Sequence, residues 1–165
     1  MDETTTSAIE KRLRALEDQV AICQIVCAYG YAVDGLNGPV VESLYAPDGV
    51  YAVSDFEPKV GAKAIAATTT NPGHIEQVRQ GCAHVSTLPY VAIDGDRASA
   101  TCYTMLVRHD EHGFSVDRLS ASRLELSRKP EGGWHIDHRQ NQLLNENPEG
   151  AKLLARLRVA PGQRS

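Results

Sequence analysis

The first third of the chain carries apolar residues at the three- and four-residue spacing of one helix face. The members of this stripe are Ile9, Leu13, Leu16, Val20, Cys23 and Cys27. Ser7 followed by Glu10 has the pattern of a capping box, which predicts that the helix begins near Ser7. From Ile22 onward apolar residues occupy more than one side, so the second half is expected to run beneath other structure until Gly35 ends it.

In the middle of the sequence, short predicted helices and strands alternate with glycine and proline residues that end them. Residues 40–45 favour a second helix, residues 50–53 a strand and residues 61–70 a third helix. Asn71, Pro72 and Gly73 interrupt this third helix, and the heptapeptide that follows them favours one more helical turn. His74 is expected in the intervening loop, near the mouth of any pocket.

The second half of the chain changes to the two-residue period of strands. Long strands are predicted over residues 82–93, 97–109, 114–128 and 134–144, followed by a short helix over 149–158. Turn residues such as Asp94-Gly95-Asp96 join the strands, which favours a four-strand antiparallel meander. Helices first and a long bent sheet second predict an α+β fold in which the sheet wraps around the first helix. One domain is expected over residues 1–165, with its core at about 8–145.

Composition and charge narrow the range of partners. The chain is 42% hydrophobic with a net charge of −4, which is ordinary for a globular domain and disfavours nucleic acid as a partner. The acidic, polar N-terminus does not have the pattern of a signal peptide, and no apolar run is long enough to span a membrane. A cytoplasmic protein without membrane association is therefore predicted. The four cysteines lack metal-ligand spacing and no nucleotide-binding motif is present, so neither a metal nor a cofactor is predicted.

Two polar residues interrupt apolar segments and draw attention to a pocket. Asp34 ends the apolar helix and His84 lies in a strand that is otherwise apolar, and a buried polar group needs a partner. An aspartate bonded to a histidine fixes the imidazole tautomer and stabilises the protonated ring, which suits the histidine to acid/base work. The alternatives are that Asp34 only terminates its helix and that His84 is a core histidine bonded to backbone.

Several segments, in order, resemble the SnoaL-like branch of the nuclear-transport-factor-2-like (NTF2-like) superfamily. They are ALEDQVAICQIVCAYGYAVD, SLYAPDGVY, GAKAI, AHVSTLPYVAIDGDRASATCYTMLV and GGWHIDHRQ. The resemblance implies a cone-shaped α+β barrel with a deep pocket at one end, assembled as a homodimer or homotrimer. Within the superfamily the chain is most similar to the scytalone dehydratase and bile-acid 7α-dehydratase type.

That resemblance implies a set of site residues. Tyr29, Asp34 and His84 take the catalytic positions, and Arg139 takes the position of a late arginine that some members use. Tyr31 competes with Tyr29, because residues 31 and 34 lie closer together around an ideal helix.

Further substrate contacts are expected from the strands. Where some dehydratases carry another carboxylate, this chain has Tyr103 and Met105. Strict alternation places His138 and Arg139 on opposite faces of their strand, and the sequence does not decide which of the two faces inward.

These observations predict a cofactor-independent acid/base lyase. Its substrate is expected to be a small, hydrophobic, oxygenated aromatic or polycyclic molecule, from which it eliminates water or releases a small carbonyl fragment by a retro-aldol step. An isomerase, cyclase or epoxide hydrolase on the same scaffold is one alternative, and a noncatalytic ligand-binding module is another.

Overall fold

The structure is a computed structural model that describes residues 3–157. The helices, in chain order, are α1 (Glu3–Asp34), α2 (Gly38–Ser43), α3 (Ala62–Ala66), α4 (Pro72–Gln80) and α5 (Glu149–Leu154), and a 3₁₀ turn (Ala67–Thr70) follows α3. The strands are β1 (Tyr45–Val53), β2 (Lys59–Val60), β3 (Cys82–Ser86), β4 (Tyr90–Asp94), β5 (Arg97–Asp110), β6 (Gly113–Arg128) and β7 (Trp134–Leu143). The predicted α+β class is confirmed.

Helix α1 has two contrasting halves. It begins at Glu3, so Ser7 lies inside the helix and the predicted cap is wrong, because no glycine or proline precedes Ser7 to stop the helix earlier. Side chains up to Val20 face solvent almost throughout, whereas Ile22 and Val26 are buried in the core. The second half lies against β3, β4 and β7, as the apolar pattern predicted.

The sheet has the order β2-β1-β7-β6-β5-β3, with β4 also paired to β5. Strands β5, β6 and β7 form an antiparallel meander, and β1 joins β7 in parallel. The sheet is curved and open rather than closed into a barrel. The predicted strand over 82–93 is divided, because Pro89 has no N–H to donate to a ladder, and the two parts pair with different stretches of β5.

A β-bulge in β7 changes which side chains face the core. Glu125 and Leu126 of β6 pair with His138 and Ile136, so β7 carries one extra residue, Asp137, between them. Ile136 before the bulge and Arg139 after it are therefore both buried on the inner face. Strict alternation, which set residues 136 and 139 on opposite faces, is wrong at this point.

Smaller boundaries also differ from the prediction. Strand β1 begins at Tyr45, earlier than expected, because its first residue pairs with Ile136 ahead of the bulge. Helix α5 lies within the predicted 149–158, although residue 158 is outside the described residues. Within residues 3–157, none of the helices combines the length and the apolar character that crossing a bilayer requires.

Candidate active site

Asp34 and His84 meet where the end of α1 lies against β3. The Asp34 Oδ1 atom accepts a hydrogen bond from Nδ1 of His84 at 2.6 Å, and Oδ2 accepts one from the backbone N–H of the same residue at 2.6 Å. The Cys82 thiol donates a weaker bond to Oδ1 at 3.7 Å. The carboxylate is thus held by three donors of one strand, and the predicted contact between these two residues is present.

Gly30 permits this contact. A Cβ atom at residue 30 would collide with the backbone carbonyl of His84, so only glycine lets α1 approach β3 this closely. Asp34 lies one helical turn later on the same face of α1, which brings its carboxylate to the strand at the level of His84. A glycine inside a long apolar helix was therefore a sequence signal for the site.

The hydrogen bonds determine the protonation of the pair. Burial raises the pKa of Asp34, but hydrogen bonds from the His84 imidazole and backbone outweigh it and leave the pKa below its ordinary value. An ionised Asp34 requires Nδ1 of His84 to carry a proton, so Nε2 of the neutral ring has a free lone pair. His84 lines the cavity described below, so this nitrogen is the group available to a substrate.

Three tyrosines and an arginine pack together beside the cavity. Tyr29 is fully buried, and its ring contacts Tyr45 and Tyr51 edge-on, with centroids 6.3 and 5.5 Å away. The guanidinium carbon of Arg139 lies 4.2 Å from the centre of the Tyr29 ring, a cation–π contact. Burial raises the pKa of Tyr29 well above its ordinary value, so this hydroxyl is neutral and can donate a hydrogen bond.

Two buried polar atoms of this group lack a hydrogen-bond partner. They are Nη1 of Arg139 and the hydroxyl oxygen of Tyr45, among the side chains that the structure describes. Nε of Arg139 donates to Oδ1 of Asn141 at 3.3 Å, and Asn141 in turn donates to the Tyr51 hydroxyl. A polar cluster therefore encloses the inner end of the cavity without fully satisfying it.

An inner cavity of about 50 Å³ and an outer cleft of about 500 Å³ adjoin at the pair. Five residues line both spaces and make them one continuous site: Tyr29, Tyr51, Val53, His84 and Arg118. Arg139 and Asn141 lie at the inner end, whereas Phe56 and His74 line the outer part.

The structure brings some of the predicted substrate residues to this cavity and places others elsewhere. Met105 and Arg139 line the inner part. Tyr31 does not, because its position on α1 turns the side chain outward, where it is 81% exposed. Tyr103 lies on the outer face of β5 and is exposed, and His138, at the bulge, lies outside both cavities. Of the two alternatives, Tyr29 lines the cavity, and ideal helical spacing, which favoured Tyr31, is wrong here.

Other lining residues were missed or misplaced. His74 lies in α4 rather than in a loop, where it is buried and its Nε2 donates to the Val33 carbonyl at 2.9 Å. Its ring centre is 5.9 Å from that of His84. Tyr51 and Asn141 were not singled out, although the aromatic and polar residues that alternate on β1 and β7 were a readable signal.

A metal could be held only at the pair itself, among residues 3–157. Asp34, Cys82 and His84 offer three ligand atoms that all lie within 4.8 Å of one another. The same atoms already form hydrogen bonds with one another. Burial and the nearby Asp34 raise the pKa of the Cys82 thiol, which disfavours a thiolate ligand. The donor set thus fits a hydrogen-bonded pair better than a metal centre.

Comparison with known proteins places this geometry in a family. The model of the SnoaL-like domain matches residues 14–140, and the chain belongs to that family. A protein with an NTF2-like, cystatin-like fold from Novosphingobium aromaticivorans is 34% identical, with 93% of this chain and 97% of that one covered and a TM-score of 0.86. The predicted superfamily is confirmed. Curated protein sequences give no significant match.

More distant structures share the fold alone. A protein from Catenulispora acidiphila, solved in complex with S-DNPA, is 20% identical, with coverage of 79% and 94% and a TM-score of 0.65. Another Novosphingobium aromaticivorans protein, provisionally named an aromatic ring hydroxylase, is 24% identical, with coverage of 82% and 97% and a TM-score of 0.64.

Proposed function

We propose that this protein is a cofactor-independent lyase that uses His84 as its acid/base group. The observation that carries the proposal is the 2.6 Å contact of His84 Nδ1 with Asp34, which leaves Nε2 free at the wall of an open cavity. A histidine with only a packing role would direct a ring nitrogen to backbone, as Nε2 of His74 does to the Val33 carbonyl, rather than to a carboxylate. A pair positioned in this way supplies on the order of 10²- to 10⁴-fold in rate.

The chemistry is an elimination next to a carbonyl group. Nε2 of His84 takes a proton from the carbon beside the carbonyl, and the electron pair forms a carbon–carbon double bond as the β-oxygen departs. The imidazolium, stabilised by Asp34, returns its proton to that oxygen, which leaves as water. In the retro-aldol variant, Nε2 takes the proton of a β-hydroxyl group, the carbon–carbon bond breaks, and a small carbonyl fragment is released. The electron pair of that bond forms an enolate on the remaining substrate, and the imidazolium returns its proton to the enolate carbon.

The cavity walls support an oxygenated aromatic or polycyclic substrate. Tyr29, Tyr51 and Phe56 present rings along its length, and the neutral hydroxyl of Tyr29 is suited to bonding a substrate oxygen. Water activation, as in an epoxide hydrolase, calls for a second carboxylate opposite Asp34. The residues lining the two spaces include one carboxylate, Glu57, which is exposed at the outer part, so elimination is favoured over hydrolysis.

The test is turnover of aromatic β-hydroxy ketones and acids, followed by mass spectrometry for loss of water or of a one-carbon carbonyl. His84→Ala is expected to lower the rate about 10²- to 10⁴-fold, whereas His112→Ala, which changes an exposed histidine, leaves it unchanged. A chelator is expected to have no effect. Product isomers of unchanged mass would identify an isomerase, and wild-type rates in the His84 variant would refute the acid/base role.

A further inference from the structure

Arg139 is a buried positive charge that lacks a protein counter-charge. Its exposure is 3%, and none of the ion pairs among residues 3–157 includes it. Its neighbours are the faces of Tyr29 and Tyr51, the hydroxyl group of Tyr45 and the amide oxygen of Asn141, which are all neutral groups. An arginine keeps its proton in proteins, so the charge persists at this position.

Isolation of this kind is costly unless a ligand supplies the missing partner. A charge without a counter-ion loses hydration on burial, and the aromatic faces and one amide recover only part of that loss. Nη1 makes no hydrogen bond of ordinary geometry, although guanidinium nitrogens are well suited to binding the oxygens of an anion. Arg139 also lines the inner cavity, so a ligand that enters past His84 reaches it.

We propose that the inner end of the cavity binds an anionic oxygen group of the substrate, a carboxylate or a phenolate, through Arg139. This deepens the proposed function, on which it rests, because it names the substrate as an acid or an acidic phenol. The anion is bound at the inner end, and the remainder of the molecule extends along Tyr29 and Tyr51 to Nε2 of His84. The anion also orients the reacting carbon toward the histidine before any proton moves.

The experiment compares probes that differ only in charge. Calorimetric binding of 2-naphthoate and of its neutral isostere 2-naphthamide tests the carboxylate, and 4-nitrophenol below and above its ionisation tests the phenolate. We expect the anion to bind about 10- to 100-fold more tightly than its neutral partner. Arg139→Met should abolish this preference while Arg139→Lys retains part of it, and Arg128→Met, which removes a paired arginine, should leave it unchanged.

The outcomes separate this proposal from the proposed function. Equal binding of the anion and the isostere, or a preference that survives Arg139→Met, would overturn the anion site. His84→Ala should bind naphthoate as the wild type does. If no compound turns over but the preference for anions remains, the lyase is refuted and the anion site stands.

A second inference comes from the solvent-facing half of α1. Four large apolar side chains lie on one stripe of this half and are 48 to 61% exposed: Ile9, Leu13, Leu16 and Val20. Their spacing of four, three and four residues is that of the seam in a two-stranded coiled coil. An apolar stripe that is exposed to water is stabilised when the apolar face of a partner helix covers it.

The charges beside the seam favour a second copy in parallel orientation. When the apolar stripe occupies the a and d positions, Arg12 falls at g and Glu17 at the following e. In a parallel pair each Arg12 faces Glu17 of the other helix, whereas an antiparallel pair brings glutamates together. Asp18, at the outward f position, bonds Arg128 of its own domain, so the seam is turned away from the domain and is free to pair.

The geometry points to a parallel homodimer through residues 9–20 of α1. Light scattering after size exclusion should give a dimer for the wild type and a monomer for Leu13→Glu/Leu16→Glu. The matched control Ala8→Glu/Ala15→Glu adds the same charges off the seam and should stay dimeric. Leu13→Cys should cross-link to itself on oxidation beyond the wild-type background. A monomeric wild type, or a dimer that the seam variant leaves intact, would overturn this inference.

Discussion

The two arginines that stack on aromatic rings near α1 occupy opposite kinds of site. Arg128 lies 4.5 Å from the centre of the Trp134 ring and bonds Asp18 through two nitrogens, at 2.8 and 2.7 Å, and Asp96 through a third. Arg139 lies over Tyr29 at a similar distance but has no carboxylate. The first cluster is satisfied by the protein itself, whereas the second is left open at the end of a cavity.

The difference is that the charge of Arg128 is neutralised within the protein, whereas the charge of Arg139 is left without a counter-charge at a cavity. The indole N–H of Trp134 also donates to Asp18, at 2.9 Å, so every strong group of the first cluster is paired and fastens α1 to β6 and β7. At the second cluster the unpaired Nη1 of Arg139 is a cost of folding that only a ligand offsets. Active sites commonly contain such unpaired polar groups, because the group that pairs with them is the substrate.

The largest expected difference between the two regions is in turnover. Asp34→Asn removes the charge that stabilises the His84 imidazolium and allows the wrong tautomer, so the rate should fall about 10²- to 10⁴-fold. Asp18→Asn makes the same chemical change on the same helix and should leave kcat unchanged. Steady-state kinetics of the two variants measure this directly, and equal losses would mean that Asp34 is structural too.

Stability should respond to the two arginines with opposite signs. Arg128→Met leaves Asp18 partly buried with no counter-charge and with the Trp134 N–H as its remaining donor, which should lower the free energy of unfolding by about 2 kcal/mol. Arg139→Met removes an unpaired buried charge and should leave that free energy unchanged or raise it by about 1 kcal/mol. Urea denaturation followed by tryptophan fluorescence tests both. A loss of several kcal/mol from Arg139→Met would show that the protein already pairs this charge.

The fold and the contact between Asp34 and His84 could be predicted because local pattern determines them. Apolar spacing on α1 placed its second half in the core, and a polar residue at the end of that helix needed the partner that His84 provides. The orientation of Arg139 could not be predicted in this way. It depends on one extra residue, Asp137, in the pairing of two distant strands, and a bulge leaves no mark on the apolar pattern of β7 alone.

Tyr31 and His74 were misplaced for a related reason. Ideal helical angles favoured Tyr31 beside Asp34, but the docking of α1 through Gly30 determines which face meets the strand, and Tyr29 lies on the buried side. Residues 71–73, which commonly break helices, predicted a loop. Instead, the side chain of Asn71 caps the start of α4, and His74 is buried on that helix.

Gly30→Ala tests the close approach on which the site depends. The added methyl group collides with the His84 carbonyl, so α1 and β3 must separate, and stability should fall by about 1–3 kcal/mol. The separation also lengthens the contact between Asp34 and His84, so turnover should fall together with stability. Asp18→Asn, which weakens the bonds to Arg128 and Trp134 at the other cluster, should lower stability alone. An alanine variant with native stability and rate would show that the approach is not constrained.

The smallest expected effect is on the decrease of the unfolding free energy at acid pH, to which both Asp18 and Asp34 contribute. Hydrogen bonds from Arg128 and Trp134 leave the pKa of Asp18 below its ordinary value of 3.8 despite burial, and His84 does the same for Asp34. A carboxyl group whose pKa is lower in the folded protein stabilises it above the unfolded pKa. That stabilisation is lost as the pH falls through the folded value. Unfolding free energies at about pH 6 and about pH 3 should therefore differ less in Asp18→Asn and in Asp34→Asn than in the wild type. An unchanged difference in either variant would mean that its carboxylate is no better bound in the folded protein than in the unfolded chain.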